Sequence, residues 1–487
     1  MQNFTIIYTD VVGYSKLTGE DQELALELLS EHDKILHQNT KHYSGNIVKK
    51  TGDGICALFE NPDNAIKCCI DIQKDLNKRN KLNIKERQVK IRIGIHHGTV
   101  SKKTTDYFGD NINIAKEIES NAPHGGIAIS ETVNDLIWDA KDIYIRDYSK
   151  INYENKELKL FEVYLDLIKW FENEKNQTSQ NVPFDKTYKI AHDFFHKGDY
   201  SAAIKFAILS LQNITKNKKY EVNSFVCNTF ISLGEFEYCK EGIEYLKNNK
   251  TDDITIELEA HLLKMEGLIF FNNKEWVTAK NLFIKAFDLM QSVNTKYINE
   301  IIFYLGNIYL NDHSIDELSK YLDYIEYDDD YKILIDGILL AAMNTENEKT
   351  LNAYDKSKEK IENDHLKSIA HWYMAIYFNN YKVYKNAEKH LSESHNLLIN
   401  ASENISDWFQ REKFLKNIYI HTEITNFADS NFTLFDDLDI KIDDEVEKEK
   451  NLPSEEDNNI YKFCPSCGNG NENNYKFCIN CGNDLQY

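Results

Sequence analysis

Over the first 165 positions, short β-branched runs alternate with segments whose apolar residues recur every three or four positions. Phe4–Tyr8, Gly54–Phe59, Val89–Ile95, Gly126–Ile129 and Lys159–Tyr164 predict strands; Glu20–Lys41, Asn64–Asn80, Ile112–Ser120 and Glu131–Trp138 predict helices. Interleaved this way, they predict an α/β domain over 1–165. The apolar period fails between Asn173 and Asp185, and 166–185 is read as a linker. From 186 to 425 nearly every segment carries the helical period. No stretch holds the roughly 20 apolar residues that a spanning helix needs, so the expectation is a cytoplasmic protein with no membrane partner.

Within 186–425 a short turn with an aromatic residue recurs, followed three positions later by a small residue. The copies are Gly198-Asp199-Tyr200 with Ala203, Gly234-Glu235-Phe236 with Cys239, Lys274-Glu275-Trp276 with Ala279, and Lys382-Val383-Tyr384 with Ala387. The first copies lie 36 and 40 residues apart, close to the roughly 34-residue helix-turn-helix unit. The region resembles a degenerate tetratricopeptide-like α-solenoid; the alternative is an irregular helical domain whose aromatics only fill its core. Either implies docking or sensing of an unidentified protein partner or ligand rather than chemistry.

The chain has 487 residues and a formal net charge of −22, with 42% hydrophobic and 12% aromatic residues. That is ample material for packed cores and too acidic a balance for general nucleic-acid binding. The charge is uneven: residues 1–165 hold 25 acidic and 22 basic side chains, whereas 429–457 hold twelve acidic and three basic. Residues 426–460 are therefore read as an acidic, solvated tether. In 461–487, Cys464-Pro465-Ser466-Cys467-Gly468 and Cys478-Ile479-Asn480-Cys481-Gly482 are separated by ten residues. Four thiolates so spaced predict one structural Zn²⁺ in a small zinc ribbon, with no position left open for a substrate. Disulfides are disfavoured in a reducing compartment. The other cysteines, Cys56, Cys68, Cys69, Cys227 and Cys239, sit in apolar segments and read as reduced core thiols.

Three segments of the N-terminal domain carry candidate chemistry. Ile6-Ile7-Tyr8-Thr9-Asp10-Val11-Val12-Gly13-Tyr14 is an apolar strand that ends in a carboxylate and turns into a helix, an arrangement able to hold a cation and to meet phosphates with helix-start amides. Lys49-Lys50-Thr51-Gly52-Asp53-Gly54 places a second carboxylate in a tight turn. Asp106-Tyr107-Phe108-Gly109-Asp110-Asn111-Ile112-Asn113 leads into a third helix start.

Together with Arg92-Ile93-Gly94-Ile95-His96-His97-Gly98 and Pro123-His124-Gly125-Gly126-Ile127, these segments closely resemble the class III nucleotide cyclase catalytic domain, in order, over about residues 1–165. The resemblance implies a ferredoxin-like βαββαβ core that works as an antiparallel, head-to-tail homodimer or heterodimer with substrate sites at the interface. It implies that Asp10, Val11 and Asp53 hold two Mg²⁺ or Mn²⁺ ions, that Val12, Gly13, Tyr14 and Lys150 contact the substrate, and that Lys49 and Asp106 read the base. A lysine beside a carboxylate suits adenine's ring nitrogen and amine, and cytosine shows a similar edge. Asn113 matches the residue that orients the ribose. Four residues on, the family pattern calls for an arginine that stabilises charge on the transferring phosphate, and Glu117 stands there. Removing one such stabiliser costs on the order of 10²–10³ in rate; Lys50, Lys102, Lys103 or Lys150 are candidate replacements. The implied activity is conversion of ATP to cyclic AMP and pyrophosphate in second-messenger signalling, regulated by the helical region and ribbon. The alternatives are a pyrimidine (CTP or UTP) cyclase of antiphage defence, or a catalytically impaired nucleotide-binding scaffold.

Overall fold

A computed structural model describes residues 2–103, 106–172, 183–211, 214–249, 255–291, 297–325, 329–343 and 345–427. Residues 428–487 lie outside the described residues, and with them nearly all of the stretch read as an acidic tether and the cysteines read as zinc ligands, Cys464, Cys467, Cys478 and Cys481.

The chain opens with β1 (Gln2–Val11), α1 (Tyr14–Glu20), α2 (Gln22–His42), β2 (Asn46–Lys50), β3 (Ile55–Phe59), α3 (Pro62–Lys81) and β4 (Ile91–Lys103). It continues through β5 (Asp106–Phe108), α4 (Asp110–Ser120), β6 (Ile127–Ser130), α5 (Glu131–Ile137), β7 (Tyr144–Tyr153), β8 (Lys156–Tyr164) and α6 (Leu167–Glu172). The sheet order is β2-β3-β1-β4-β6-β8-β7, with β5 folded back on β4. Its β2-β3-β1-β4 part is the expected βαββαβ arrangement, with β1 antiparallel to both β3 and β4.

Strand alternation sorts β1 between two cores. Ile7 joins Leu28 and Leu36 of α2 and Ala65, Ile66 and Ile72 of α3 on one face. Ile6 and Tyr8 join Ala115 of α4 on the other. By the same period of two, Asp10 falls on the α4 face. The α2 stripe of Ala25, Leu28, His32, Leu36 and Thr40 keeps helical spacing, and α3 starts at Pro62 behind Asn61, whose side chain accepts from the Asp63 amide at 2.8 Å.

Residues 183–427 are largely helical. Helix pairs are α7 (Phe184–His196) with α8 (Tyr200–Ser210), α9 (Lys216–Leu233) with α10 (Phe236–Asn248), and α11 (Ile256–Asn272) with α12 (Trp276–Gln291). They are followed by α13 (Ile298–Asn311) with the short α14 (Ser319–Leu322), α15 (Asp330–Ala341) with α16 (Glu348–Lys358), α17 (Asp364–Asn380) with α18 (Tyr384–Glu403), and α19 (Trp408–Asn417). The recurring turns have one geometry. Gly198, Gly234, Lys274 and Lys382 adopt positive φ of 79°, 79°, 63° and 61°. The following amide reaches back to an aromatic residue's carbonyl: Asp199 to Phe194, Glu235 to Phe230, Glu275 to Phe270 and Val383 to Phe378, at 2.9–3.0 Å. This is the Schellman end, which satisfies carbonyls that a stopped helix leaves open. His313, at φ 56°, forms a fifth such end through Ser314 and Tyr309.

Segment 405–427 does not continue the succession of helix pairs. It runs back across the turns: Asn417 donates to the Gly234 carbonyl at 2.9 Å, Tyr419 meets Trp276 edge to face, and the Tyr419 hydroxyl donates to Asn311 at 3.2 Å.

One correction concerns the linker. Its first residues form α6, whose Leu167 and Trp170 are fully buried. Trp170 donates to the Ile145 carbonyl at 3.0 Å, and the Leu167 amide donates to Asp407 at 2.9 Å. Lys141 binds Asp199 at 3.1 Å, and buried Lys205 donates to the carbonyls of Trp138 and Ala140. The α/β domain and the helical region therefore meet over a packed surface.

Candidate active site

Asp10 lies near the end of the central strand β1, on the sheet face that meets α4, and Asp53 sits in the turn before β3. What brings them together is Gly54. A Cβ there would lie 1.8 Å from the Thr9 carbonyl oxygen, so only glycine lets this turn press against β1. The Ile55 amide then donates to the Thr9 hydroxyl at 3.0 Å, and the Thr51 amide to the Gly54 carbonyl at 2.9 Å. Half-buried Asp53 has its carboxyl pushed above the usual range, first by desolvation and then by the neighbouring Asp10 charge.

Arg92, opposite Asp10 in the β1–β4 register, donates to its carboxylate at 2.7 Å and to Glu119 at 2.9 Å. Glu119 is 3% exposed. Desolvation, then Asp10, push its carboxyl up to about 7, against the pull of Arg92. Helix α4 comes this close because Gly94 of β4 has no side chain: a Cβ would meet the Glu119 backbone at 2.1 Å. Arg92 and Glu119 were not assigned a role from sequence. The available signal for Glu119 was a carboxylate at apolar-stripe spacing, beside the buried Ala115, Ile118 and Ala122.

The start of α4 is fixed by buried His96, whose ring is 2.8 Å from the Ser130 hydroxyl and 3.1 Å from Asn111 Oδ1. From there α4 carries exposed Asn113 and half-buried Glu117. These two face Tyr153 of β7, whose phenol is pushed up by desolvation, then Glu154, Asp110 and Glu117, and hydrogen-bonds Asn113. The Asn121 side chain donates to the Glu117 carboxylate at 3.3 Å.

Lys49 is exposed on β2, opposite Cys56, just after a register shift that re-aims the strand's side chains. Asp106 lies in β5, opposite Lys103. The Val12 amide donates to the Lys90 carbonyl at 2.9 Å, Val11 pairs with Ile91, and Gly13 at φ 77° opens α1 before Tyr14. Of the proposed replacement cations, Lys50 binds Asp33 at 2.9 Å, Lys150 binds Glu157 at 2.7 Å, and Lys102 lies over the Tyr107 ring. Within one chain the contacts thus form two groups: Asp10 and Asp53 with Arg92 and Glu119, and Asn113 and Glu117 with Tyr153.

Among the described residues, no group of three or more His, Cys, Asp or Glu side chains is arranged to hold a metal ion. The Asp10–Asp53 pair nonetheless fits Mg²⁺ or Mn²⁺, because such ions take hard oxygen donors and are commonly held by one or two carboxylates plus substrate phosphates. Desolvation and then the Asp10 charge raise the Asp53 carboxyl, and a divalent cation would offset the second of these.

Residues 1–167 match the family described as the adenylate and guanylate cyclase catalytic domain. Over 153 residues, 31% of this chain, the sequence is 31% identical to "Putative adenylate cyclase 3" of Rhizobium meliloti (strain 1021), covering 26% of that protein. Over 134 residues, 27% of this chain, it is 27% identical to the serine/threonine-protein kinase pkn2 of Myxococcus xanthus, covering 16% of that protein. The chain thus spans about a quarter and a sixth of these relatives. The crystal structure of an adenylate/guanylate cyclase/hydrolase from Silicibacter pomeroyi shares 26% identity and a TM-score of 0.31, over 33% of this chain and 96% of that one.

Proposed function

We propose that the N-terminal domain is a nucleotide cyclase that converts ATP to cyclic AMP and pyrophosphate, acting as a head-to-tail dimer. One observation carries the reading: a turn that tolerates no side chain at Gly54 holds Asp53 beside Asp10, with the Asp53 carboxyl raised by desolvation and then by the Asp10 charge. A surface turn has no need of that arrangement.

In the reaction the nucleotide's 3′-hydroxyl gives its proton to solvent water and its oxygen forms a bond to the α-phosphorus. The bond from that phosphorus to the bridging oxygen breaks, and pyrophosphate leaves in line. Asp10 and Asp53 would hold divalent ions, which when bound would supply Lewis-acid stabilisation of the developing charge. Arg92 holds the Asp10 carboxylate in position, and buried Glu119 holds Arg92. Asn113 orients the ribose, and Lys49 with Asp106 selects adenine. Among the described residues no contact joins Asn113 and Glu117 to the carboxylate pair, which supports a site completed by a second copy. Glu117 slows turnover, since its carboxylate faces a phosphate where a cation is called for.

The test is chromatographic identification of the product when the full chain, with Mn²⁺, receives a mixture of ATP, CTP, GTP and UTP. Cyclic AMP is expected. Asp10→Ala should abolish turnover, and Glu117→Arg should raise it by about 10-fold or more. A cyclic pyrimidine product would replace ATP as the substrate. Binding of a triphosphate without turnover would establish the scaffold reading.

A further inference from the structure

The helical region encloses a cavity of about 870 Å³, within the range of roughly 300–1,000 Å³ typical of small-molecule sites. Helices α7, α9, α11, α13 and α17 line it, and Ile418, Ile420 and His421 of the returning segment close one side.

Its floor is aromatic. The Tyr304 ring lies 5.2 Å from that of Phe271 and 5.0 Å from that of Phe303, which in turn lies 5.6 Å from Tyr331. Among these rings stands a buried ion pair: Lys264, 2% exposed, donates to Glu300 at 2.6 Å. Such pairs are poor stabilisers, because desolvation offsets the attraction, so packing alone gives no reason to keep one on a cavity wall. Two more polar atoms on the wall, the Tyr220 hydroxyl and His261 Nδ1, are buried with no hydrogen-bond partner among the described residues. Each such atom has lost its water without gaining a partner, an uncompensated cost that a bound group could offset. An aliphatic guest would leave both unmet. Burial, then Lys264, push the His261 imidazole down to about 3, so it is neutral. The remaining lining charges are Glu221 at the rim and Asp329, so carboxylates outnumber the single ammonium and a phosphate would be repelled.

We propose that this cavity binds an unphosphorylated planar nitrogen heterocycle of about nucleoside size, stacked on the floor rings and read at its edge by Lys264, Glu300, Tyr220 and His261. The ammonium offers donors and the carboxylate an acceptor side by side, which suits a heterocycle edge where a ring nitrogen or carbonyl adjoins an N–H. Tyr200 lines the same cavity, and its neighbour Asp199 binds Lys141 of the N-terminal domain. An effect of the ligand on turnover rests on the cyclase reading; binding does not.

Calorimetry on the full chain with adenosine, guanosine, cytidine and uridine, and with each 5′-monophosphate, tests the proposal. At least one nucleoside should bind one to one, with its monophosphate at least about tenfold weaker. The double substitution Lys264→Met with Glu300→Gln removes both charges, leaves none buried alone, and should cost tenfold or more in affinity. In the unaltered protein the bound nucleoside should slow amide exchange in α11 and α13. No nucleoside binding, equal binding of the monophosphates, affinity retained in the double variant, or protection confined to 1–165 would overturn the proposal.

Discussion

Gly54→Ala separates the account of the carboxylate pair from a generic reading of a tight turn. The added Cβ would sit 1.8 Å from the Thr9 carbonyl oxygen and 2.6 Å from its carbon, whereas ordinary contact begins at 3.4 Å. Both obstacles are backbone, so no side chain can swing aside; the turn must lift from β1 by on the order of 1.5 Å. Overpacking of this kind costs about 1–3 kcal/mol in stability. Function should suffer more, because Asp53 moves away from Asp10 and misplacement of a reacting group by about 1 Å can cost about 10²-fold in rate. The assay is the rate of cyclic-nucleotide release at saturating Mn²⁺, beside urea unfolding of the same preparations. Gly52→Ala is the control: its φ is +92° and nothing lies within 4 Å. It should lose on the order of 1 kcal/mol through backbone strain while keeping its rate within about tenfold of the parent. A Gly54→Ala protein that turns over at the parent rate would refute the argument that this contact builds the site.

Other outcomes follow from the same geometry. If the site is completed by a second copy, mixing inactive Asp10→Ala and Asn113→Ala proteins should restore about a quarter of the parent activity, since half the dimers are mixed and each then holds one intact site; gel filtration beside the rate assay checks this. Lys205, buried against the Trp138 and Ala140 carbonyls, has its ammonium pushed down to about 7 by burial. The folded-state value lies below the unfolded one, so the penalty is full below about pH 7 and disappears as pH rises toward about 10.4. The stability of the parent relative to Lys205→Met should therefore climb across that window, by at most about 1.4 kcal/mol per pH unit, as urea titrations at several pH values will show. Trp170→Ala removes a fully buried ring and should cost about 3–5 kcal/mol, measurable by calorimetry.

The strand and helix order of the N-terminal domain was legible because its central strands are buried on both faces and its helices keep a clean apolar stripe. Three strands are unpredicted: β2 and β7 are the sheet's edges, where one side meets solvent and alternation fades, and β5 is three residues folded back on β4, too short to show a period. Asp10 and Asp53 stood out because glycines and apolar strands flank them. Glu119 did not: a buried carboxylate is explained only by Arg92, 27 residues away in sequence and adjacent in space. The helical turns were visible as a faint repeat whose physical basis is the positive-φ residue, glycine in two copies and lysine in two others. The fifth, at His313, lacks the following aromatic and went unread. The burial of α6 and the return of 405–427 across the turns depend on partners more than a hundred residues distant, such as Asp407 with Leu167, and no local pattern encodes them.

The central claim is that the Asp10–Asp53 pair serves the cyclisation of ATP. The most direct measurement is the product balance of purified full-length protein incubated with ATP and Mn²⁺, in parallel with Asp53→Asn. Cyclic AMP and pyrophosphate appearing in equal amounts from the parent, and neither from the variant, is the predicted result; nucleotide that stays intact in both, or cyclic AMP formed undiminished by Asp53→Asn, would contradict it.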